Sequence, residues 1–239
     1  MIKLKLGPKV KFKKAKLPEK KKLVGNYTIL EPLNISKHSK DLYLQYSNDK
    51  KNIIWTYLPY GPFKTYLSFR NWLKSFCLNK DPFFYAIYSK RHKKYCGMAS
   101  YLRIEPDHGS IEVGHINYSP LLQKTREGTE AMYLMMKWVF ESGYRRYEWK
   151  CNALNAKSRY AAQRLGFSYE GVFRQMAINK GKNRNTAWFA AIDKEWNALK
   201  ESYEIYLSDD NFDIEQKPKR SLSDLTKPIL YKRDNKEFG

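Results

Sequence analysis

The change of hydrophobic period near residue 125 constrains the fold more than any other feature of the sequence. Before it, three β-prone segments follow one another at residues 82–88, 95–104 and 110–116, separated by turn-forming residues. After it, residues 128–142 show the i, i+3, i+4, i+7 and i+8 apolar spacing of a helix with one buried face. The spacing is set by Ala131, Leu134, Met135, Trp138 and Val139. A strand meander followed by an amphipathic helix predicts a mixed α and β domain.

Shorter patterns complete the order of elements. Asn155 is a preferred helix N-cap and Gly166 suits the left-handed residue that follows a helix, so we expect a short helix between them. The other predicted elements are a first strand, two helices, a strand before Asn155 and the two strands of a final hairpin, at residues 27–30, 36–45, 65–76, 147–151, 170–178 and 186–193.

The charge is concentrated at the N-terminus. The chain has 45 Lys and Arg against 24 Asp and Glu, a net charge of +21, and residues 1–22 contain ten lysines and one glutamate. We predict a basic flexible arm at 1–22, a single domain at 23–207 and a loosely ordered tail at 208–239. The arm predicts either weak nonspecific contact with nucleic acid or simple solubilising charge.

Several classes of protein are disfavoured by composition. Cys77, Cys96 and Cys151 form no CxxC pair, and the four histidines show no ligand spacing near them, so we expect neither a disulfide framework nor a metal site. The longest apolar runs fall far short of the roughly 20 residues of a membrane span. We therefore expect a soluble, cytoplasmic protein, monomeric or homodimeric, with no membrane partner.

Two strand-to-helix junctions carry polar groups suited to chemistry. The first runs from the strand at 111–116 into residues 123–131, where unpaired backbone N–H groups and the helix dipole can bind phosphate. The second runs from Asn152 to Ser158. Each junction alone is equally consistent with ordinary helix capping.

Together these junctions resemble the GCN5-related N-acetyltransferase (GNAT) superfamily, in the branch of the ribosomal-protein-alanine acetyltransferases. The resemblance covers about residues 23–197. Its motifs, in order, are residues 111–114, 123–128 and 129–131, then Asn155 with Ser158, and Gly166 and Phe167 followed by Glu170 and Gly171.

The resemblance implies an α+β fold whose mixed, mostly antiparallel sheet is flanked by helices and splays apart between its fourth and fifth strands. Acetyl-CoA would lie in that gap as co-substrate, and no metal is implied. The cofactor would be bound by the end of the strand before the gap, by the loop that follows it and by the second junction. These residues are Ile116, Asn117, Tyr118, Gln123, Lys124, Thr125, Arg126, Glu127, Gly128, Thr129, Asn152 and Asn155. Ser158 would protonate or stabilise the departing thiolate.

The chain departs from the family pattern at three positions. Arg126 replaces the first loop glycine, and we expect either that its guanidinium adds positive charge near phosphate or that the replacement weakens cofactor binding. Ala162 replaces a tyrosine used by many members, which favours Ser158 as the acid. Ala177 stands where the related enzymes carry an acidic residue, so Glu112 is our candidate base, with an ordinary strand carboxylate as the alternative.

The expected activity is transfer of the acetyl group of acetyl-CoA to a primary amine, a peptide N-terminus or a small molecule, by direct attack in a ternary complex. The alternatives are a nucleic-acid or ribosome-associated binding protein and a catalytically inactive GNAT scaffold. An aromatic segment with Trp55, Tyr57, Tyr60 and Phe63 is expected either to line the acceptor side or to pack as a loop. His115, Trp188 and Trp196 are expected to be core residues.

Overall fold

A computed structural model describes residues 6–215 and 217–235 of the protein. The strands are β1 (Leu23–Val24), β2 (Thr28–Pro32), β3 (Phe83–Ser89), β4 (Lys94–Glu105), β5 (Ser110–Tyr118), β6 (Arg146–Asn152), β7 (Ser168–Asn179) and β8 (Lys182–Ile192). The helices are α1 (Ile35–Tyr46), α2 (Tyr66–Phe76), α3 (Arg126–Glu141), α4 (Ala156–Arg164), α5 (Trp196–Leu207) and α6 (Leu222–Thr226). Every predicted strand and helix is present, and α5 and α6 are additional.

All eight strands form one sheet in the order β1-β2-β3-β4-β5-β6-β8-β7. Each neighbouring pair is antiparallel except β5 and β6, which run parallel. The helix α3 makes the connection between them, because parallel neighbours need a long crossover. The predicted mixed, mostly antiparallel sheet flanked by helices is confirmed.

The sheet has a different apolar cluster on each face. The larger cluster joins the sheet to α3 and α5 through residues such as Met135, Val139, Tyr147 and Phe189. The smaller cluster lies under α1 and α2 and draws on β3 and β4, but on no residue of β6, β7 or β8. The face that carries the smaller cluster is therefore apolar at β3 and β4, whereas at β6, β7 and β8 it is free for polar side chains.

The buried Glu130 fixes the start of the sheet against α3. Its carboxylate accepts the backbone N–H groups of Asn26, Tyr27 and Thr28, each at 2.7 Å. A Cβ on Gly25 would lie 2.4 Å from that carboxylate, so the turn admits glycine only. None of the described helices is long and apolar enough to cross a membrane.

The terminal segments differ from the expected loose tails. In the N-terminal arm, Ala15 is buried, and the backbone N–H groups of Ala15 and Lys16 donate to Pro106 and Ser142 at 3.1 and 3.0 Å. At the other end, Leu222 is fully buried, and the Tyr169 N–H donates to the Lys232 carbonyl at 2.9 Å. Both segments are thus anchored to the domain at these residues, while most described residues of the N-terminal arm are exposed; residues 1–5, 216 and 236–239 lie outside the described residues.

Candidate active site

The strands β5 and β6 part after four residues. Their pairing runs from Ser110 with Arg146 to Val113 with Trp149. Beyond that point β5 pairs only with β4, and a bulge opposite Ala99 leaves His115 at a φ of 50°. The predicted splay is therefore present, and the backbone of Ile116, Asn117 and Tyr118 borders the gap.

The loop after β5 exposes a row of backbone donors. Thr125 caps α3: its hydroxyl oxygen accepts the Gly128 N–H at 3.0 Å and donates to the Leu122 carbonyl at 2.8 Å. Within the described chain, the N–H groups of residues 124–127 have no hydrogen-bond partner. Four free amides at the N-terminus of a 16-residue helix form a site suited to phosphate.

Gly128 is required by the shape of this loop. A Cβ at that position would lie 2.6 Å from the Leu122 carbonyl oxygen and 3.0 Å from the Tyr118 ring. Gln123 donates from its side-chain amide to the Tyr118 carbonyl at 2.9 Å, and the Tyr118 hydroxyl donates to the Gly128 carbonyl at the same distance. These contacts fix the loop against the end of β5.

The Arg126 guanidinium packs against the C-terminal segment and does not extend along the loop. Its side chain is buried between the rings of Tyr27 and Phe212, 3.9 and 4.1 Å from their centroids. It pairs with Asp209 at 2.9 Å and donates to the Leu207 carbonyl. Cation–π contacts and this ion pair hold it against the C-terminal segment, so Arg126 offers the loop only its backbone N–H.

Two further predicted loop residues have structural side chains. Glu127 is buried and accepts from the Ser89 hydroxyl at 3.3 Å. Thr129 donates its hydroxyl to the Thr125 carbonyl at 3.1 Å and accepts from Arg164 at 3.0 Å.

The junction between β6 and α4 brings Ser158 to the gap. Asn155 caps α4 by accepting the Ser158 N–H at 3.2 Å, and Asn152 accepts the Leu154 N–H at 2.9 Å. The Trp149 indole donates to the Ser158 hydroxyl oxygen at 3.1 Å. Because Trp149 is the last residue of β6 that pairs with β5, Ser158 lies beside the point where the strands part.

Glu112 lies on β5 just before the gap, with its side chain 5% exposed. Its Oε2 contacts Arg103 at 2.5 Å and Lys150 at 3.0 Å, whereas no described residue bonds to Oε1. Burial raises the pKa of Glu112, and the two cations oppose that shift. The carboxyl group is therefore both anchored and able to accept a proton at Oε1.

The sequence and the fold agree on the family. Residues 28–168, more than half of the chain, match the family described as "Acetyltransferase (GNAT) domain". The chain belongs to the GNAT acetyltransferases. It is an acyltransferase, and the predicted family is confirmed.

Solved GNAT structures support this assignment. A GCN5-related N-acetyltransferase from Brucella melitensis is 40% identical with a TM-score of 0.89, and the match covers 91% of this chain and 99% of that one. A probable GNAT-family acetyltransferase from Chromobacterium violaceum is 36% identical with a TM-score of 0.76, covering 83% and 99%. RimL, a ribosomal-protein alpha-N-acetyltransferase solved with coenzyme A, is 19% identical with a TM-score of 0.59, covers 72% and 99%, and shows the fold alone. No curated protein matches the chain.

The aromatic segment of this GNAT domain packs against α1 and α2 and also connects two parts of the site. Trp55 is buried against Tyr46, Phe63 and Trp72. The Lys180 ammonium at the β7–β8 turn donates to the Trp55 carbonyl at 2.8 Å, and the Tyr57 hydroxyl donates to the Leu154 carbonyl at 3.1 Å. The segment therefore spans from the final hairpin to the junction of β6 and α4.

His115 has the satisfied, packed ring that was expected, and it also lies on this side of the site. Its Nδ1 lies 3.0 Å from the Tyr60 hydroxyl, and its ring packs among Phe76 and Phe84. Burial lowers the pKa of His115 to about 4, so the imidazole is neutral at pH 7. Its place at the bulge beside the gap was not predicted from the sequence.

Trp188 is a correction to the expected core. Its ring stacks on Phe173 with centroids 4.4 Å apart, and the Lys150 ammonium lies 3.7 Å from its centroid. Trp188 thus shares the polar face of the sheet with Lys150 and Glu112. Trp196, by contrast, is buried in the larger cluster as predicted.

Proposed function

We propose that the protein transfers the acetyl group of acetyl-CoA to a primary amine. The observation that carries this proposal is the opening between β5 and β6, which leads directly to the free amides of residues 124–127. A gap bordered by unpaired strand backbone, with an anion site at its end, suits a long cofactor that carries a diphosphate. When bound, acetyl-CoA supplies the activated acetyl thioester.

The residues divide into binding and chemical roles. The backbone of Ile116, Asn117 and Tyr118 would pair with the pantetheine arm, and the loop amides would hold the diphosphate. Gln123, Thr125 and Gly128 would fix the shape of that loop, since their contacts join it to β5 and α3. Asn152 and Asn155 would lie near the reactive end.

Ser158 and Glu112 are the proposed acid and base. Ser158 accepts the Trp149 indole N–H, which holds its hydroxyl group beside the gap, and that hydroxyl would donate its proton to the departing sulfur. Glu112 would receive the amine proton at Oε1, directly or through water, while Lys150 and Arg103 hold Oε2.

The pKa of the acceptor amine determines the free energy needed to deprotonate it before it can attack the thioester. Deprotonating a lysine-like amine of pKa ~10.4 at pH 7 costs about 4.6 kcal/mol, whereas a peptide α-amine near ~7.8 costs about 1.2 kcal/mol. Since Glu112 is bound by two cations, we expect low-pKa amines to be preferred. Contact of residues 1–22 with nucleic acid stays a separate prediction, to be tested by the salt dependence of RNA binding.

The test measures thiol release from acetyl-CoA with matched α-amino and ε-amino peptides. Ser158→Ala should lower kcat by about 100-fold, because one acid is lost, while calorimetry with coenzyme A gives an unchanged Kd. Ser75→Ala, an exposed serine on α2, is the control and should behave as wild type. Absence of coenzyme A binding, or full activity of Ser158→Ala, would contradict the proposal, and binding without turnover would identify a scaffold.

A further inference from the structure

Arg184 lies at the mouth of the gap on the polar face of the sheet. Residues alternate in direction along β8, so Arg184 and Thr186 share a face with Trp188, whose ring contacts Lys150. The last pair of β6 with β8 joins Asn152 to Thr186. Arg184 therefore projects just past the carboxyl end of β6, on the same face as Glu112.

The guanidinium of Arg184 has only neutral partners among the described residues. Its Nε donates to the Thr186 hydroxyl at 3.2 Å. The Asn179 amide, turned so that its oxygen faces the guanidinium, accepts from Nη1 at 2.9 Å. Within the described chain no carboxylate lies within ion-pair distance of Arg184, and burial lowers its pKa.

Three neighbouring cations of this face have carboxylate partners. Lys150 contacts Glu112 and Glu148 at 3.0 and 2.7 Å, and Arg103 contacts Glu112. Arg146 contacts Glu148 and Glu170. A half-buried guanidinium without a counter-charge is unfavourable, and Arg184, unlike these three cations, has no carboxylate within ion-pair distance among the described residues.

The aromatic segment borders the strand of Arg184 on the acceptor side. One end of the aromatic segment is bonded to the β7–β8 turn, close to Arg184, through the contact of Lys180 with Trp55. The segment reaches the end of β6 through the contact of Tyr57 with Leu154. An amine that reaches the gap beneath this segment would bring its neighbouring atoms close to the guanidinium. Arg is well suited to bind a carboxylate or phosphate in two-point contact.

We propose that Arg184 binds an oxyanion, a carboxylate or a phosphate, on the amine acceptor. The acceptor is then an amine that carries an anionic group close to its reacting nitrogen. This inference rests on the proposed acetyl transfer and names the class of its second substrate.

The test compares acceptors that differ only in the anion. Alanylglycine is matched with its C-terminal amide, and phosphoethanolamine with ethanolamine, so that the carboxylate and phosphate sources are separated. For wild type we expect KM to be at least tenfold lower for one anionic member than for its neutral partner. Arg184→Gln should raise that KM at least tenfold while leaving the neutral partner unchanged, and Arg184→Lys should keep part of the preference.

The controls separate this inference from the proposed activity. Arg174→Gln removes an exposed arginine of β7 and should change neither KM. An unchanged Kd for coenzyme A shows that each variant is folded. Equal KM values within both pairs, or an equal loss by Arg184→Gln on charged and neutral acceptors, would overturn the role of Arg184 while acetyl transfer stands. If no acceptor is acetylated, calorimetry with the four amines decides: failure of wild type to favour an anionic member overturns the inference, and absent thiol release counts against the proposed function itself.

Discussion

Asp234 should stabilise the helix that carries Ser158. Arg159, the next residue of α4, has a side chain only 1% exposed, and that of Asp234 is 3% exposed. The guanidinium donates to the Asp234 carboxylate at 2.5 and 2.7 Å and to the Ala153 carbonyl at 3.0 Å. Breaking a buried pair from one side leaves an uncompensated charge and costs about 3–5 kcal/mol. Asp234→Ala should therefore lower the free energy of unfolding by about that amount.

Urea denaturation followed by circular dichroism measures this change. Asp210→Ala is the matched control, because Asp210 is exposed and its side chain makes no hydrogen bond or ion pair with the described residues. Combining Arg159→Met with Asp234→Leu should recover most of the loss, since a buried pair replaced by apolar residues is often neutral. A loss below about 1 kcal/mol for Asp234→Ala would refute the reasoning.

Two further predictions concern the loop and the bulge. Gly128→Ala should weaken coenzyme A binding at least tenfold in calorimetry, with little change in circular dichroism, because its Cβ would lie 2.6 Å from the Leu122 carbonyl; wild-type affinity would contradict the close approach. Burial lowers the pKa of His115 to about 4 against about 6.5 in the unfolded chain, so the unfolded state binds more protons between these values. Its contribution, at most about 3.4 kcal/mol, is present above pH 6.5 and lost as pH falls toward 4. In urea denaturation, His115→Phe should make the free energy of unfolding depend less on pH between 4 and 6.5 than it does in wild type. The control His108→Gln, at an exposed site, should keep the wild-type pH dependence.

The parts of the fold that depend on local pattern were predictable. Thr125 and Asn155 cap their helices at strand ends, and both junctions were read from residues within one turn of each other. Gly166 has a φ of 89°, as expected for the left-handed residue after α4. Helix spacing and capping act over three or four residues, so the sequence alone carries them.

The parts that depend on distant partners were not predictable. Arg126 meets Asp209 and Phe212, more than 80 residues away, and its own neighbours gave no sign of them. Helix α5 did leave a signal, because Trp196, Leu199, Tyr203 and Tyr206 lie on one buried face. Counting tyrosine as apolar would have revealed it. The packing of the C-terminal segment depends on the buried contact of Arg159 with Asp234, which no local pattern encodes.

The two inferences about the acceptor favour the same chemistry. Glu112, the proposed base, is held at Oε2 by two cations and is open at Oε1, and a carboxylate paired in this way would act best on an amine that is already easy to deprotonate. A peptide α-amine, with a pKa near ~7.8, meets that condition. Arg184, without a counter-charge among the described residues, favours an anion near the same nitrogen. A short peptide with a free carboxyl group supplies both, whereas a lysine side chain within a long protein supplies neither. The polar half of the sheet face is therefore better suited to small, zwitterionic acceptors than to internal lysines.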